Sequence, residues 1–271
     1  MITVNNTPIY PTVFPDGTSS LHFDLQGILN APIVIDWRYE SDVEMPVLYN
    51  IVHHLRDKAI ENLNITLFMP YIPNARMDRV KHDDEIFTLK HFAAFINSLD
   101  FTRVISVDPH SDVAPALFDR FVSMNVVEYI INSLIPSETP ESKNWLFCYP
   151  DEGSAKRYSS QIAGDYVFGV KRRDWQTGKI ESLELIGAEK VAGRDVLIID
   201  DICSRGGTFI RAAEALKEAD ANKVYLYVTH CEQNIFNGDI LTSDLIEHVY
   251  TTNSLLRSEH EKISVIELAY Q

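Results

Sequence analysis

Val196-Leu197-Ile198-Ile199-Asp200-Asp201-Ile202-Cys203-Ser204-Arg205-Gly206-Gly207-Thr208 is the stretch from which the fold of this chain is read. Its uninterrupted aliphatic start predicts a buried strand of a parallel sheet, covered on both faces. Two adjacent carboxylates follow at the strand's C-terminal end, where α/β sheets bind ligands. Paired glycines and a threonine then lead into a helical stripe of Phe209, Ala212, Ala213 and Leu216. Glycines let the backbone approach a ligand closely, and the exposed N–H groups of a helix start attract anions. Carboxylates beside such a cradle suit a sugar phosphate: they accept from hydroxyls while the loop holds the phosphate. An ordinary strand–turn–helix capped by Thr208 is the plainer alternative.

The same grammar recurs on either side. Ile65–Met69, Val104–Val107 and Val224–Val228 read as further buried strands. Leu48, Ile51, Val52 and Leu55 share one helical face, as do Phe92, Phe95 and Ile96. Strands alternating with helices predict α/β architecture with mainly parallel sheets. Val-Ile-Ser-Val-Asp ending at Asp108 echoes Val-Leu-Ile-Ile-Asp ending at Asp200, and each has a strand running into a basic cluster upstream. Those clusters are residues 74–79 and 171–174. The echo predicts two copies of one α/β unit, 1–135 and 136–271, joined at the Pro/Ser/Thr-rich stretch 135–140.

Composition narrows the function. Against 39 acidic side chains there are 24 basic ones, a formal net charge of −15 over 271 residues. Such a chain is a poor general binder of nucleic acid or anionic membranes, so phosphates must be met by local cations. Cys148, Cys203 and Cys231 lack metal-ligand spacing and read as reduced thiols. No stretch is long and apolar enough to span a bilayer and the start has no signal-peptide pattern, so a cytoplasmic protein is expected.

The residues also carry a family resemblance. Asp200-Asp201 through Gly206-Gly207-Thr208 resembles the PRPP-binding motif of type I phosphoribosyltransferase folds. Val13-Phe14-Pro15-Asp16-Gly17, Pro70 to Arg79, Val107-Asp108-Pro109-His110 and Tyr149 to Arg157 resemble, in order, other motifs of the ribose-phosphate pyrophosphokinases. The resemblance, to a short form of that family, implies two phosphoribosyltransferase-like domains, the first on the ATP side and the second on the ribose-phosphate side. It implies transfer of the β,γ-pyrophosphate of ATP to the anomeric hydroxyl of ribose 5-phosphate, giving PRPP and AMP. Asp200 and Asp201 would hold ribose hydroxyls, and Ser204, Arg205, Gly206, Gly207 and Thr208 the 5-phosphate. Arg76, Asp78, Arg79 and His110 would meet ATP, with Phe14 and Asp16 reaching adenine from a neighbouring subunit. A homo-oligomer, at least a dimer, is therefore implied. His110 and Asp151 would serve Mg²⁺, which takes few protein ligands. Lys171 and Arg173 stand at the family's catalytic Lys-x-Arg. By themselves Lys171-Arg172-Arg173 read as a solvated charged loop, and the polar segment through Lys179 suits a closing flap.

Some positions depart from that pattern. Ser204-Arg205 replaces an Asp-Thr pair, removing a carboxylate and adding a guanidinium able to contact phosphate bidentately. The change suits tighter 5-phosphate binding, or a larger acceptor such as ADP-ribose undergoing the same chemistry. Met77 replaces a glutamine and Asn74 a tyrosine. A phosphoribosyltransferase would leave Arg76, His110 and Asp151 unexplained, and a catalytically silent regulatory paralogue would not need Lys171 and Arg173.

Overall fold

The computed structural model describes residues 1–25, 28, 32–59, 63–135, 144–173 and 180–270, with only the backbone of 171–173 and 180–182. Its contacts divide the chain into two units, Met1–Met124 with the C-terminal Tyr270–Gln271, and Asn125–Ala269. Among the described residues, no helix is long and apolar enough to cross a membrane.

The first unit runs β1 (Ile2–Val4), β2 (Thr7–Ile9), β3 (Thr12–Val13), β4 (Ser19–Ser20), β5 (Ile33–Trp37), α1 (Glu44–Lys58), β6 (Ile65–Phe68), α2 (Thr88–Ser98), β7 (Arg103–Val107), α3 (Val113–Leu117) and β8 (Phe121–Met124). Its main sheet has the order β2-β1-β5-β6-β7-β8. From β5 to β8 every pairing is parallel and sequential neighbours lie side by side. The expected stripes of α1 and α2 are buried at Leu48, Ile51, Val52, Leu55, Phe92 and Ile96, against Ile33, Ile35, Ile65 and Leu67 of the sheet.

The second unit runs α4 (Val127–Leu134), β9 (Trp145–Tyr149), α5 (Glu152–Tyr158), β10 (Tyr166–Arg173), β11 (Ile180–Ile186), β12 (Asp195–Cys203), α6 (Gly207–Glu218), β13 (Val224–Cys231), β14 (His248–Thr252) and β15 (Ile263–Ile266). Here the order is β11-β10-β9-β12-β13-β14-β15, parallel except at the β10–β11 ribbon. The stretch that opened the sequence reading forms a central strand with both faces covered. Val196 and Ile198 pack with Phe209, Ala212, Ala213 and Leu216 of α6. Leu197 and Ile199 point the other way, to Val127, Ile130 and Ile131 of α4 and Tyr158 of α5. Burying each such aliphatic side chain is worth about 1.5–3 kcal/mol, which is why the run carries no polar residue.

Two features differ from the two-copy reading. Helix α4 gives its apolar stripe to the second unit, so the division falls before residue 125; most of the linker-like stretch, 136–140, lies outside the described residues. The echo between Asp108 and Asp200 also stops short of shared topology. The strand leading to the first basic cluster, β6, borders β7 directly, whereas β10 is separated from β12 by β9.

Candidate functional site

That interposed strand positions the chemistry. From β9 the chain crosses to β10 on one side, while β12 continues to β13 on the other. Connections leaving in opposite directions open a crevice at the carboxyl ends of β9 and β12, the switch point at which α/β sheets bind ligands. Asp151, Asp200, Asp201 and the loop 204–208 all sit at these two strand ends.

Each acidic group is held differently. Asp151 caps α5: its Oδ1 accepts from Ser154 N at 3.1 Å, and the Ser154 hydroxyl closes a capping box. Asp201 is buried and pairs with Arg157 of α5, Nη1 to Oδ1 at 3.2 Å. The Arg157 guanidinium also lies over the Tyr158 ring, 5.4 Å from its centroid. Burial pushes the Asp200 carboxyl well above the usual range, helped by Asp201 and by the charge of Asp151. Carboxyl oxygens are hard donors of the type that suits Mg²⁺, but Asp151 lies at the end of β9 and the other two at the end of β12. Among the described residues no three His, Cys, Asp or Glu side chains converge as a closed metal cluster.

The loop after β12 turns on Gly206, which takes the left-handed conformation (φ 82°) and caps α6 with no side-chain bond. Thr208 is therefore the second helical residue rather than the cap. Gly206 O accepts from Phe209 N at 2.9 Å and Ile210 N at 3.1 Å. The N–H groups of Gly207 and Thr208 precede the first intrahelical donors, as an anion cradle requires. Arg205 and Gly207 are exposed, Ser204 and Thr208 half-buried.

The thiols are inert by contrast. Cys148, Cys203 and Cys231 are all buried, and burial pushes Cys148 up to about 12. Cys203 and Cys231 are cross-strand partners, and their hydrogen bond, more than burial, raises Cys203. A thiol-reactive disulfide reagent is thus expected to label none of the three rapidly in the native protein and all three after unfolding. Rapid native labelling of Cys203 would reopen nucleophilic roles for it.

The first unit gathers a second set at the ends of β6 and β7. Asp78 is buried and accepts from Arg79 Nε at 2.8 Å and Nη2 at 3.1 Å. The Arg79 hydrogen bond, with Ser111 and His110 contributing, holds the Asp78 carboxyl below the usual range despite its burial. Arg76 and Arg79 are both exposed on this loop. Asn74 takes φ 64° and its carbonyl accepts from Met77 N at 2.8 Å. A left-handed turn favours asparagine over tyrosine, which accounts for one departure noted above. Asp108 (φ 42°) likewise turns the chain toward His110.

Phe14 and Asp16 stand apart from that cluster, on the tip of the two-stranded β3–β4 hairpin. Both are exposed, and Asp16 Oδ1 accepts from Thr18 N at 2.9 Å and Oγ1 at 2.7 Å. Lys171 and Arg173 lie by their backbone in β10, opposite Leu183 and Ile180 of β11, so this segment is strand rather than loop. Their side chains, and residues 174–179 of the expected flap, lie outside the described residues. His110 and Asp151 belong to different units, and each is placed within its own.

Sequence reasoning gave no role to Arg157, Ser111 or the segment 232–240. Arg157 closed a quoted motif, but its pairing with Asp201 is a tertiary contact. His230 is buried, its Nδ1 hydrogen-bonded to Ser254 Oγ at 2.9 Å, in a polar network between β13 and β14.

Residues 154–250 match the phosphoribosyl transferase domain family. The ribose-phosphate pyrophosphokinase of Sulfurisphaera tokodaii is 28% identical over 262 residues, spanning 95% of this chain and 87% of that protein. The enzyme of that name from Vibrio parahaemolyticus is 32% identical over 206 residues, 72% of this chain and 62% of that protein. The one from Helicobacter hepaticus is 31% identical over 213 residues, 76% of this chain and 66% of that protein. The chain thus spans somewhat less than two thirds of the latter two relatives. In fold, it resembles the crystal structure of phosphoribosylpyrophosphate synthetase from Mycobacterium smegmatis, with a TM-score of 0.75, 19% identity and coverage of 96% of this chain and 86% of that one.

Proposed function

The chain belongs to the ribose-phosphate pyrophosphokinase family, and from that premise we propose that it transfers the β,γ-pyrophosphate of ATP to the anomeric hydroxyl of ribose 5-phosphate, releasing AMP. The observation that carries this reading is the pairing, at one switch point, of the Asp200–Asp201 carboxylates with the glycine loop Ser204–Thr208. A furanose phosphate presents vicinal hydroxyls and a dianion, the two features this pairing complements.

In this mechanism Asp200 and Asp201 accept from the ribose hydroxyls, Arg157 orienting Asp201. The loop N–H groups and Arg205 bind the 5-phosphate. Arg76 and Arg79 contact the ATP phosphates, with Asp78 fixing Arg79. Phe14 and Asp16, exposed on their hairpin, suit adenine contacts offered to a neighbouring subunit of a homo-oligomer. Lys171 and Arg173 stabilise the charge that builds on the phosphoryl oxygens during transfer. Asp151 and, in the other unit, His110 are the residues that would serve Mg²⁺, which would supply neutralising charge to the triphosphate.

ADP-ribose as acceptor is the second reading, favoured by the exposed Arg205 on a loop that also carries Ser204. A diester needs an open rim and a cation beside it. The experiment is incubation with ATP, Mg²⁺ and either acceptor, followed by chromatography of AMP. Release with ribose 5-phosphate is the expected result. Release with ADP-ribose alone selects the second reading, and no AMP with either acceptor rejects both.

A further inference from the structure

The segment after β13 braces the phosphate loop at three points. Asn234 Nδ2 donates to Ser204 Oγ at 3.1 Å, and Asn237 Nδ2 donates to Asn234 Oδ1 at 3.1 Å. Gly238 lies flat on the next residue of the loop: a Cβ there would come within 1.9 Å of Arg205 O. Ile240, fully buried, fills the space beneath Gly206. Glu232 N, bonded to Cys203 O at 2.8 Å, fixes where the segment begins.

The direction of the amide chain matters. A hydroxyl has one proton and two lone pairs. Because Asn234 donates to Ser204, it occupies a lone pair and leaves the Ser204 proton to be donated elsewhere. Asn237 Nδ2, donating to Asn234 Oδ1, matches that orientation of the amide. Successive donors in one direction polarise one another and strengthen the last bond. The groups beside Ser204 are the N–H donors at the start of α6, so the proton joins a set aimed at an anion.

We propose that Asn234 is a positioning residue that turns the Ser204 hydroxyl into a donor to the ligand's phosphate. This rests on the ribose-phosphate reading of the same loop. Asn234→Asp is nearly isosteric but reverses the chain: the carboxylate accepts the Ser204 proton and adds a negative charge near the anion. Asn234→Ala removes the orientation without adding charge.

The test is calorimetric titration of the full chain with ribose 5-phosphate and, in a parallel arm, ADP-ribose. Asn234→Asp is expected to weaken binding by about 10- to 50-fold, the order of a hydrogen bond to a charged group, and Asn234→Ala by about 3- to 10-fold, the order of an ordinary one. In a Ser204→Ala background, Asn234→Ala is expected to add less than about twofold, since the route through Ser204 is already gone. That non-additivity is what a merely structural role would not give. Full additivity, or wild-type affinity in both Asn234 variants, overturns the proposal while leaving the ribose-phosphate reading intact. A wild-type protein that binds neither probe overturns that reading and this one with it. Should Asn234→Ala lose its cooperative melt, Asn234→Leu, which keeps the side-chain volume without an amide or a charge, carries the same comparison with and without Ser204→Ala.

Discussion

Gly206→Ala is expected to lower stability by about 2–5 kcal/mol and to abolish measurable phosphate-ligand binding. Two effects combine. At φ 82° an L-residue meets its own carbonyl, at about 1–2 kcal/mol. The added methyl would also lie 2.0 Å from Ile240 Cδ1, and Ile240 is fully buried, so its side chain has nowhere to swing. Overpacking of that kind typically costs about 1–3 kcal/mol. Relief comes from displacing the loop, which misdirects the N–H groups of Gly207 and Thr208. Gly207→Ala is the control: nothing lies within 4 Å of its added methyl. It is expected to keep the wild-type Tm while raising KM for the phosphorylated acceptor, because the methyl enters open space beside the loop's N–H groups. Thermal melts and titration of both variants check the pair; equal Tm losses would show that the strain argument is misplaced.

Lys171→Ala is expected to lower kcat by about 10²- to 10³-fold with KM changed less than about threefold, the pattern of a contact made mainly in the transition state. Arg173→Ala is expected to behave alike. Both sit near the end of β10, and their backbones are held by antiparallel pairing to β11. Removing either cation at its Cβ therefore leaves the strand pairing in place. Steady-state kinetics with each substrate varied at saturation of the other separates the terms. A loss confined to KM would make these residues substrate binders and remove the catalytic assignment.

What was legible in the sequence was local. The strand Val196–Ile199, its carboxylates and the stripe of α6 announce themselves because a strand covered on both faces excludes polar residues, and a helix shows its buried face every third or fourth position. The loop at the strand end was legible for the same reason, since Asp200 to Thr208 are contiguous. Thr208 and Gly206 are both acceptable start residues, and only φ decides between them. The clasp of Arg157 on Asp201 and the brace of Asn234 and Gly238 on Ser204–Arg205 join separate elements, and no periodicity announces such contacts. The same limit applies to strand order. Two Asp-terminated strands suggested duplicated units, yet whether β9 inserts between β10 and β12 depends on how crossovers are closed, which side-chain patterning does not encode. The boundary is less legible, because the apolar stripe of α4 states that a helix is buried but not against which sheet.

The strand order of the two units also bears on how each is assembled. In the first, β5 through β8 lie side by side in the order in which they are synthesised, so each new strand can add to an edge already formed. In the second, β9 is synthesised first and ends between two later neighbours, one of which, β12, follows only after the β10–β11 ribbon. Its centre therefore closes late, through non-local parallel pairing, the slow kind. Until Ile198 has emerged, Leu146 and Cys148 of β9 lack their β12 neighbours and present an unpaired hydrophobic edge, so the crevice at the ends of β9 and β12 is among the last parts of its unit to exist.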